Sequence, residues 1–301
     1  MSSKKSSRRS TPRSRSRSKT GSTSSPRRFL QALFISAAAS FAVASCALQP
    51  QLARHVPIAP VLEQLGFEVP AAFTPAAPTG QYAQTRFSSC PQFFPQGKAP
   101  VVPAGASLRE LCYDAFAILH NGDTRTPVLV AQRLNRQMLQ QAGSVQRSDR
   151  FFADSRIPAA ERAELADYRN SGYSRGHMAP AADMHTPAAM AQSFSLANMV
   201  PQNQRHNSGA WSKIENDTRK YVMRAAGDVY VFTGPVYEGA PERIGPGGVA
   251  VPRYLYKVVY DAQTGRSWVH WQENSAQASA AAPISYEEFE RRTGLRLVPV
   301  Q

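Results

Sequence analysis

The chain has 301 residues and a formal charge of +14, from 35 Lys or Arg against 21 Asp or Glu, with three cysteines. Ten of those basic residues fall in the first 28, among eleven Ser and no acid; without them the charge is +4, so the basicity is no proof of a nucleic-acid surface. The cysteines form no C-x-x-C pair and the histidines have no usual zinc spacing, which sets aside the common structural metal motifs.

In chain order, residues 1–28 read as a low-complexity, disordered basic tail. Phe29 to Leu48 follow as twenty mostly apolar residues without charge, which after a basic stretch read as an export signal. Val-Ala-Ser-Cys at 43–46 resembles a bacterial lipobox and makes Cys46 a candidate for lipidation; cleavage near Ala44 and retention as a membrane anchor are the competing readings. An Arg- and Ser-rich tail also fits a mitochondrial transit peptide, but the uninterrupted apolar run argues against one. The expected setting is therefore a bacterial periplasm, membrane surface or medium.

Residues 49–86, rich in Pro, Ala and Gln, read as a linker, and 87–301 as one domain long enough for a substantial core. Within it, Cys90 and Cys112 form an even pair, expected as one disulfide in an exported protein, with two buried thiols as the alternative.

Strands are expected at 113–119, 127–133, 229–236, 250–260 and 267–272, each rich in β-branched or aromatic residues and bounded by turn formers. Helices are expected at 159–166, 209–224 and 285–292, the last introduced by Ser285. Runs of strands interrupted by a few helices make an α+β domain around a mainly antiparallel sheet. No internal repeat, Walker loop or G-x-S-x-G elbow is present.

The chemistry concentrates between 173 and 219. Tyr-Ser-Arg-Gly-His-Met-Ala-Pro occupies 173–180, Asn-Met-Val-Pro-Gln 198–202 and Asn-Ser-Gly-Ala-Trp-Ser-Lys-Ile-Glu 207–215. Hydrolysing a phosphodiester needs a base to activate water and positive charge to neutralise the phosphate. His177 is the candidate base, since neutral imidazole accepts a proton near neutral pH. Asn207 is the candidate metal ligand, because an amide oxygen suits a hard ion such as Mg²⁺ that keeps several waters. Asn207, Trp211, Glu215 and Arg219 recur at intervals of four on the expected helix, which aligns Glu215 with a metal-bound water and Arg219 with phosphate oxygens.

These residues resemble the DNA/RNA non-specific endonucleases, whose sites are of the ββα-metal (His-Me finger) type. The family pattern is Asp-Arg-Gly-His, then Ser-Asn-x-x-Pro-Gln, then Asn-x-x-x-Trp-x-x-x-Glu. The chain matches at Arg175, Gly176, His177, Ala179, Pro180, Asn198, Pro201, Gln202, Asn207, Trp211 and Glu215, and Val-Phe-Thr-Gly-Pro-Val-Tyr at 231–237 and the strand at 251–260 look like the family's later strands. The resemblance implies a ββα-metal core and a Mg²⁺- or Mn²⁺-dependent enzyme that cuts DNA and RNA to leave 5′-phosphate ends. It implies His177 as general base, Asn207 as metal ligand, Glu215 as partner of metal-bound water, Arg175 and Arg219 steadying site or phosphate, and Asn198 as a buttress. Arg147 and Arg150 fall where relatives carry a phosphate-contacting arginine. Ser174 departs from the family's Asp and removes a carboxylate that orients the site.

Each residue has a plainer reading. An isolated Arg-Gly-His is a weak motif, Asn207 would serve as a helix N-cap, Glu215 as a solvated helix charge, and Arg147 and Arg150 as solvated arginines. Trp211 reads as core, and His185 and His206 as structural or surface residues. Three motifs in order and at family spacing favour the nuclease. A nucleic-acid-binding relative that has lost catalysis, and a surface lipoprotein using the fold as a scaffold, remain the alternatives.

Overall fold

Runs of Val, Ile, Leu, Tyr and Phe bounded by turns build most of the strands. They are β1 (Leu108–Cys112), β2 (Ala117–Asn121), β3 (Thr126–Leu134), β4 (Tyr173–His177), β5 (Met199–Asn203), β6 (Val229–Val236), β7 (Tyr254–Asp261) and β8 (Ser267–Glu273). Six form one antiparallel sheet in the order β8-β7-β6-β3-β2-β1, while β4 and β5 pair as a separate hairpin. The computed structural model describes residues 78–79 and 81–299, all within the unit Pro70–Gln301. The tail, the apolar segment 29–48 with Cys46, and most of the linker lie outside the described residues.

The sheet is buried on both faces, which explains why its strands read as near-continuous apolar runs. Leu119, Leu129, Phe232 and Tyr256 project to one face, under Phe87, Phe93, Phe94 and Phe289. Ile118, Val130 and Leu255 project to the other, under Met178, Phe194, Val200, Trp211 and Ile214, the residues that surround the hairpin and its following helix. Trp211 has no exposed surface, and its truncation to Ala would cost about 3–5 kcal/mol. The hairpin is thereby seated on a rigid sheet.

The α+β class and the antiparallel sheet agree with the sequence expectation, and several boundaries move. The strand expected at 113–119 straddles a turn closed by Tyr113 N–H to Phe116 O at 2.9 Å. Tyr113 and Phe116 are apolar because that turn is buried, so composition disguised it as strand. The strand expected from 250 starts at Tyr254, because Val249–Ala250 pairs instead with Arg243–Ile244. The helix expected at 159–166 is only Leu165–Tyr168, whereas α1 (Arg136–Ala142) and α2 (Pro187–Ser193) are additional. Thr186 caps α2 by accepting from Ala189 N–H, and Pro187 takes the first turn, where its missing donor costs nothing. Two longer helices follow, α3 (Ser212–Val222) and, at the carboxyl end, α4 (Tyr286–Thr293), which is capped by Ser285 and closed by Gly294 at φ 69°.

The fold also begins before residue 87. Tyr82–Gln84 pairs with Val101–Pro103, and Ala83 and Thr85 are buried, so the end of the expected linker is structural. Cys90 and Cys112 are joined by a disulfide with Cα atoms 5.8 Å apart, tying this amino-terminal segment to edge strand β1.

Candidate active site

The first two motif fragments interlock in space. In the β4–β5 hairpin, Gly176 lies opposite Val200 and His177 opposite Met199. A Cβ on Gly176 would fall 2.1 Å from Gln202 Oε1 and 2.6 Å from Gln202 Cβ, so the side chain of the Pro-Gln motif fills the space that Gly leaves. Gln202 Nε2 then donates toward His206 Nδ1 at 3.2 Å, with both residues buried. Asn198 is saturated: its amide donates to Ala179 O and Ser193 O and its oxygen accepts from Ala179 N–H, each at 2.9 Å. Those bonds fix the chain just after His177 to the end of α2.

The helix after β5 starts at Gln204 rather than 209. Asn203 caps it, its side chain accepting from Arg205 N–H and His206 N–H. One α turn, Gln204–His206, is followed by a π turn, Asn207–Trp211, and then by α3 (Ser212–Val222). The capping alternative for Asn207 therefore belongs to Asn203. The π turn also bends the expected line of residues: Trp211 enters the core while Asn207 lines a cleft.

That cleft, about 660 Å³, brings together Arg147, Ser174, Arg175, His177 and Asn207, with Tyr168 and Arg169 beside them. Its lining holds three arginines and no carboxylate. His177 packs edge-on against Phe194 at 5.0 Å between centroids, and its Nε2 is enclosed without a partner, leaving Nδ1 as the nitrogen on the open side. Burial, then the charges of Arg147 and Arg175 against an opposing pull from Asp149, pushes the imidazole down to about 3 and keeps it neutral. Arg147 pairs with Asp149 at 2.6 Å and lies over the Phe194 ring, and Arg175 lies over Phe151 at 3.9 Å. Arg150 is exposed and is not in the lining.

Glu215 and Arg219 also lie outside that lining and belong to a charged cluster with Lys257 and Asp183. Arg219 Nη1 donates to Asp183 Oδ1 at 2.9 Å and Nη2 to Asn216 Oδ1 at 2.7 Å, so protein acceptors hold two of its N–H donors. Burial raises Glu215 to about 7, with buried Lys257 pulling the other way. Trp211 Nε1 adjoins Glu215 but meets no partner in hydrogen-bonding geometry. Lys257 donates to Thr233 Oγ1 at 2.8 Å and stands 5.2 Å from the Trp211 ring centroid. Sequence reading passed over Lys257 and Asp183. A lysine inside the apolar run of a central strand was the signal, since such a charge requires buried partners. His206 is structural and buried; His185 is half-buried and lies outside the cleft lining.

The model of a family described as DNA/RNA non-specific endonuclease matches residues 96–298. Among curated relatives, mitochondrial nuclease EXOG of Xenopus laevis is 38% identical over 165 residues, which is 51% of this chain and 45% of that protein. Mitochondrial endonuclease G of Bos taurus is 32% identical over 272 residues, 83% of each chain. A solved chain described as the EndoG/EndoGI complex matches with TM-score 0.59 and 27% identity, over 70% of this chain and 90% of that one. The chain spans about half the length of the first curated relatives it matches, at 45% and 50%. The expectation of export from a bacterium is overturned by these relatives, which are mitochondrial nucleases of eukaryotes. Among the described residues, no helix is long and apolar enough to cross a membrane.

Proposed function

The chain belongs to the DNA/RNA non-specific endonuclease family, and on that premise we propose that it is an active, metal-dependent nuclease hydrolysing DNA and RNA, with His177 as general base. One observation carries the reading: His177 and Asn207, thirty residues apart in sequence, line one cleft with three arginines and no carboxylate. Such a lining attracts a phosphodiester and leaves the imidazole uncharged to act on water.

His177 Nδ1 takes the proton of a water attacking phosphorus, while Arg147 and Arg175 balance the charge that grows on the phosphate oxygens. The phosphorus bond to the sugar 3′ oxygen breaks as the new one forms. The departing 3′ oxygen takes a proton from a water molecule, so the products are a 5′-phosphate and a 3′-hydroxyl. Asn207 would hold the metal: it lines the cleft with His177, and no other residue bonds its amide among the described residues. An amide oxygen with the remaining positions open to water fits Mg²⁺ or Mn²⁺. When bound, a hard divalent ion supplies Lewis-acid charge to the scissile phosphate and leaving oxygen. Glu215, two turns further along the helix that carries Asn207, would act on water held by that ion, and Arg219 pairs with Asp183, whose charge reaches Glu215.

Digestion of plasmid DNA and of RNA with Mg²⁺, and again with excess chelator, tests the reading, with end-labelling to identify the 5′ terminus. Cleavage insensitive to chelator would remove the metal from the scheme. Binding without cleavage would favour the impaired relative to which Ser174 points. The relatives' names make a mitochondrion the setting to test, by fractionation of cells expressing the tagged full chain.

A further inference from the structure

Part of the cleft lining comes from the single helical turn Leu165–Tyr168 and from Arg169. This turn is locked from inside. Buried Asp167 accepts from Glu164 N–H at 2.8 Å and from Gly247 N–H at 2.5 Å. Gly245, at φ +67°, comes so close that a Cβ there would lie 2.1 Å from Asp167 Cα. With Asp167 and Tyr168 turned inward, Leu165 is left outward with 43% of its surface exposed.

Two large hydrophobic residues are exposed among the described residues, Leu165 and Phe152 at 39%, and Phe152 adjoins the cleft residue Phe151. Apolar side chains scattered singly need no explanation. Leu165, however, lines the basic cleft itself and is held there by a rigid turn. Arg169 is exposed beside Leu165 and forms no ion pair among the described residues. An apolar contact next to a cation, in a lining without carboxylate, matches the alternation of base and phosphate along a nucleic-acid strand.

We infer that Leu165 and Arg169 form a subsite for a nucleotide flanking the cleaved bond, with Leu165 packing on an unstacked base and Arg169 meeting the neighbouring phosphate. The inference rests on the nuclease reading for the position of the cleaved bond. In a duplex the base faces are occupied by their neighbours, so the leucine acts on single-stranded or opened substrate, whereas the arginine acts on both.

The test measures binding of the full chain to a short single-stranded DNA and to the matched duplex, in chelator, alongside cleavage kinetics in Mg²⁺. Leu165→Ala should weaken single-strand binding about 3- to 10-fold and leave the duplex within about twofold, while Leu165→Trp should tighten the single strand by a similar factor. Arg169→Gln should weaken both and lower the slope of log affinity against log salt by about one. Unaltered melting temperatures would place these effects at the surface. Single-strand affinity within about twofold of wild type for both Leu165 variants, or equal changes on the two substrates, overturns the subsite. Wild-type chain that binds in this pattern without cleaving keeps the subsite and removes the nuclease reading; cleavage with inert variants does the reverse.

Discussion

The Arg175 guanidinium stands 3.9 Å from the centroid of the Phe151 ring, and no carboxylate pairs with it among the described residues. Its neighbour Ser174 lines the same cleft, at the position where the family pattern carries Asp. An aromatic face holds a guanidinium less directionally than a bidentate carboxylate does. Ser174→Asp should therefore raise kcat on DNA and RNA by aligning Arg175. It should also raise KM, because it places an anion in a lining that otherwise has none. Initial rates across substrate concentration separate the two effects. A fall in kcat would show that Ser174 has its own role.

The sheet was legible because strands such as Val229–Val236 are filled with β-branched and aromatic residues whose only good use is a pleated, buried surface. The site was legible as three motifs, though not the reason for their spacing: the contact between Gly176 and Gln202 appears only when β4 and β5 pair. Ala159 to Ala166 has strong helix formers and still folds mostly as turns. Glu161 O is taken by His120 Nε2 and Arg162 O by Arg125 Nη1, so side chains from elsewhere claim the carbonyls a helix would use. The π turn left no trace in composition either. An extra residue in one turn changes which way Asn207 faces without changing the residue types around it.

Cys90 and Cys112 lie 22 residues apart in sequence and hold the segment carrying Phe93 and Phe94 against β1. Closing a loop of that length stabilises by about 3 kcal/mol in the chain-entropy account. Reduction, or Cys90→Ser, should thus lower Tm by roughly 6–12 °C for a domain of this size. Calorimetry with and without reductant measures it, and an unchanged Tm would mean the bridge closes nothing the packing had not already fixed.

His120 is fully buried, with Nε2 2.9 Å from Glu161 O and Nδ1 enclosed without a partner. Burial is the main cause that lowers it to about 4, with Arg109 adding to the effect and Glu161 opposing it. Below pH ~6.5 the unfolded chain takes up a proton that the folded chain refuses until about pH 4. Stability should therefore be fully present above pH ~6.5 and decline across that window, by on the order of 3 kcal/mol from this residue. His120→Gln keeps a donor for Glu161 O and removes the titration. Its denaturant midpoint should vary less between pH 7 and 4, to be read from urea curves at fixed ionic strength; parallel curves for the two proteins would move the acid sensitivity elsewhere.

The sharpest test of the site separates base from ligand. His177 is held neutral well into acid, so His177→Ala removes a proton acceptor without altering the cleft's charge at pH 7. Cleavage should fall by about 10²- to 10⁴-fold while melting temperature and nucleic-acid binding stay near wild type. Asn207→Ala should instead demand more Mg²⁺ for half-maximal rate, since it removes an oxygen from the ion and leaves the base in place. An unchanged metal titration would reduce Asn207 to a residue of the π turn. Glu215, raised to about 7 chiefly by burial, loses its charge as pH falls through that value, so a rate that uses the carboxylate declines below it. That acid limb should vanish in Glu215→Gln, leaving a lower and flatter profile. If the limb survives there unchanged, the titrating group is another one, and Glu215 serves the fold together with Lys257.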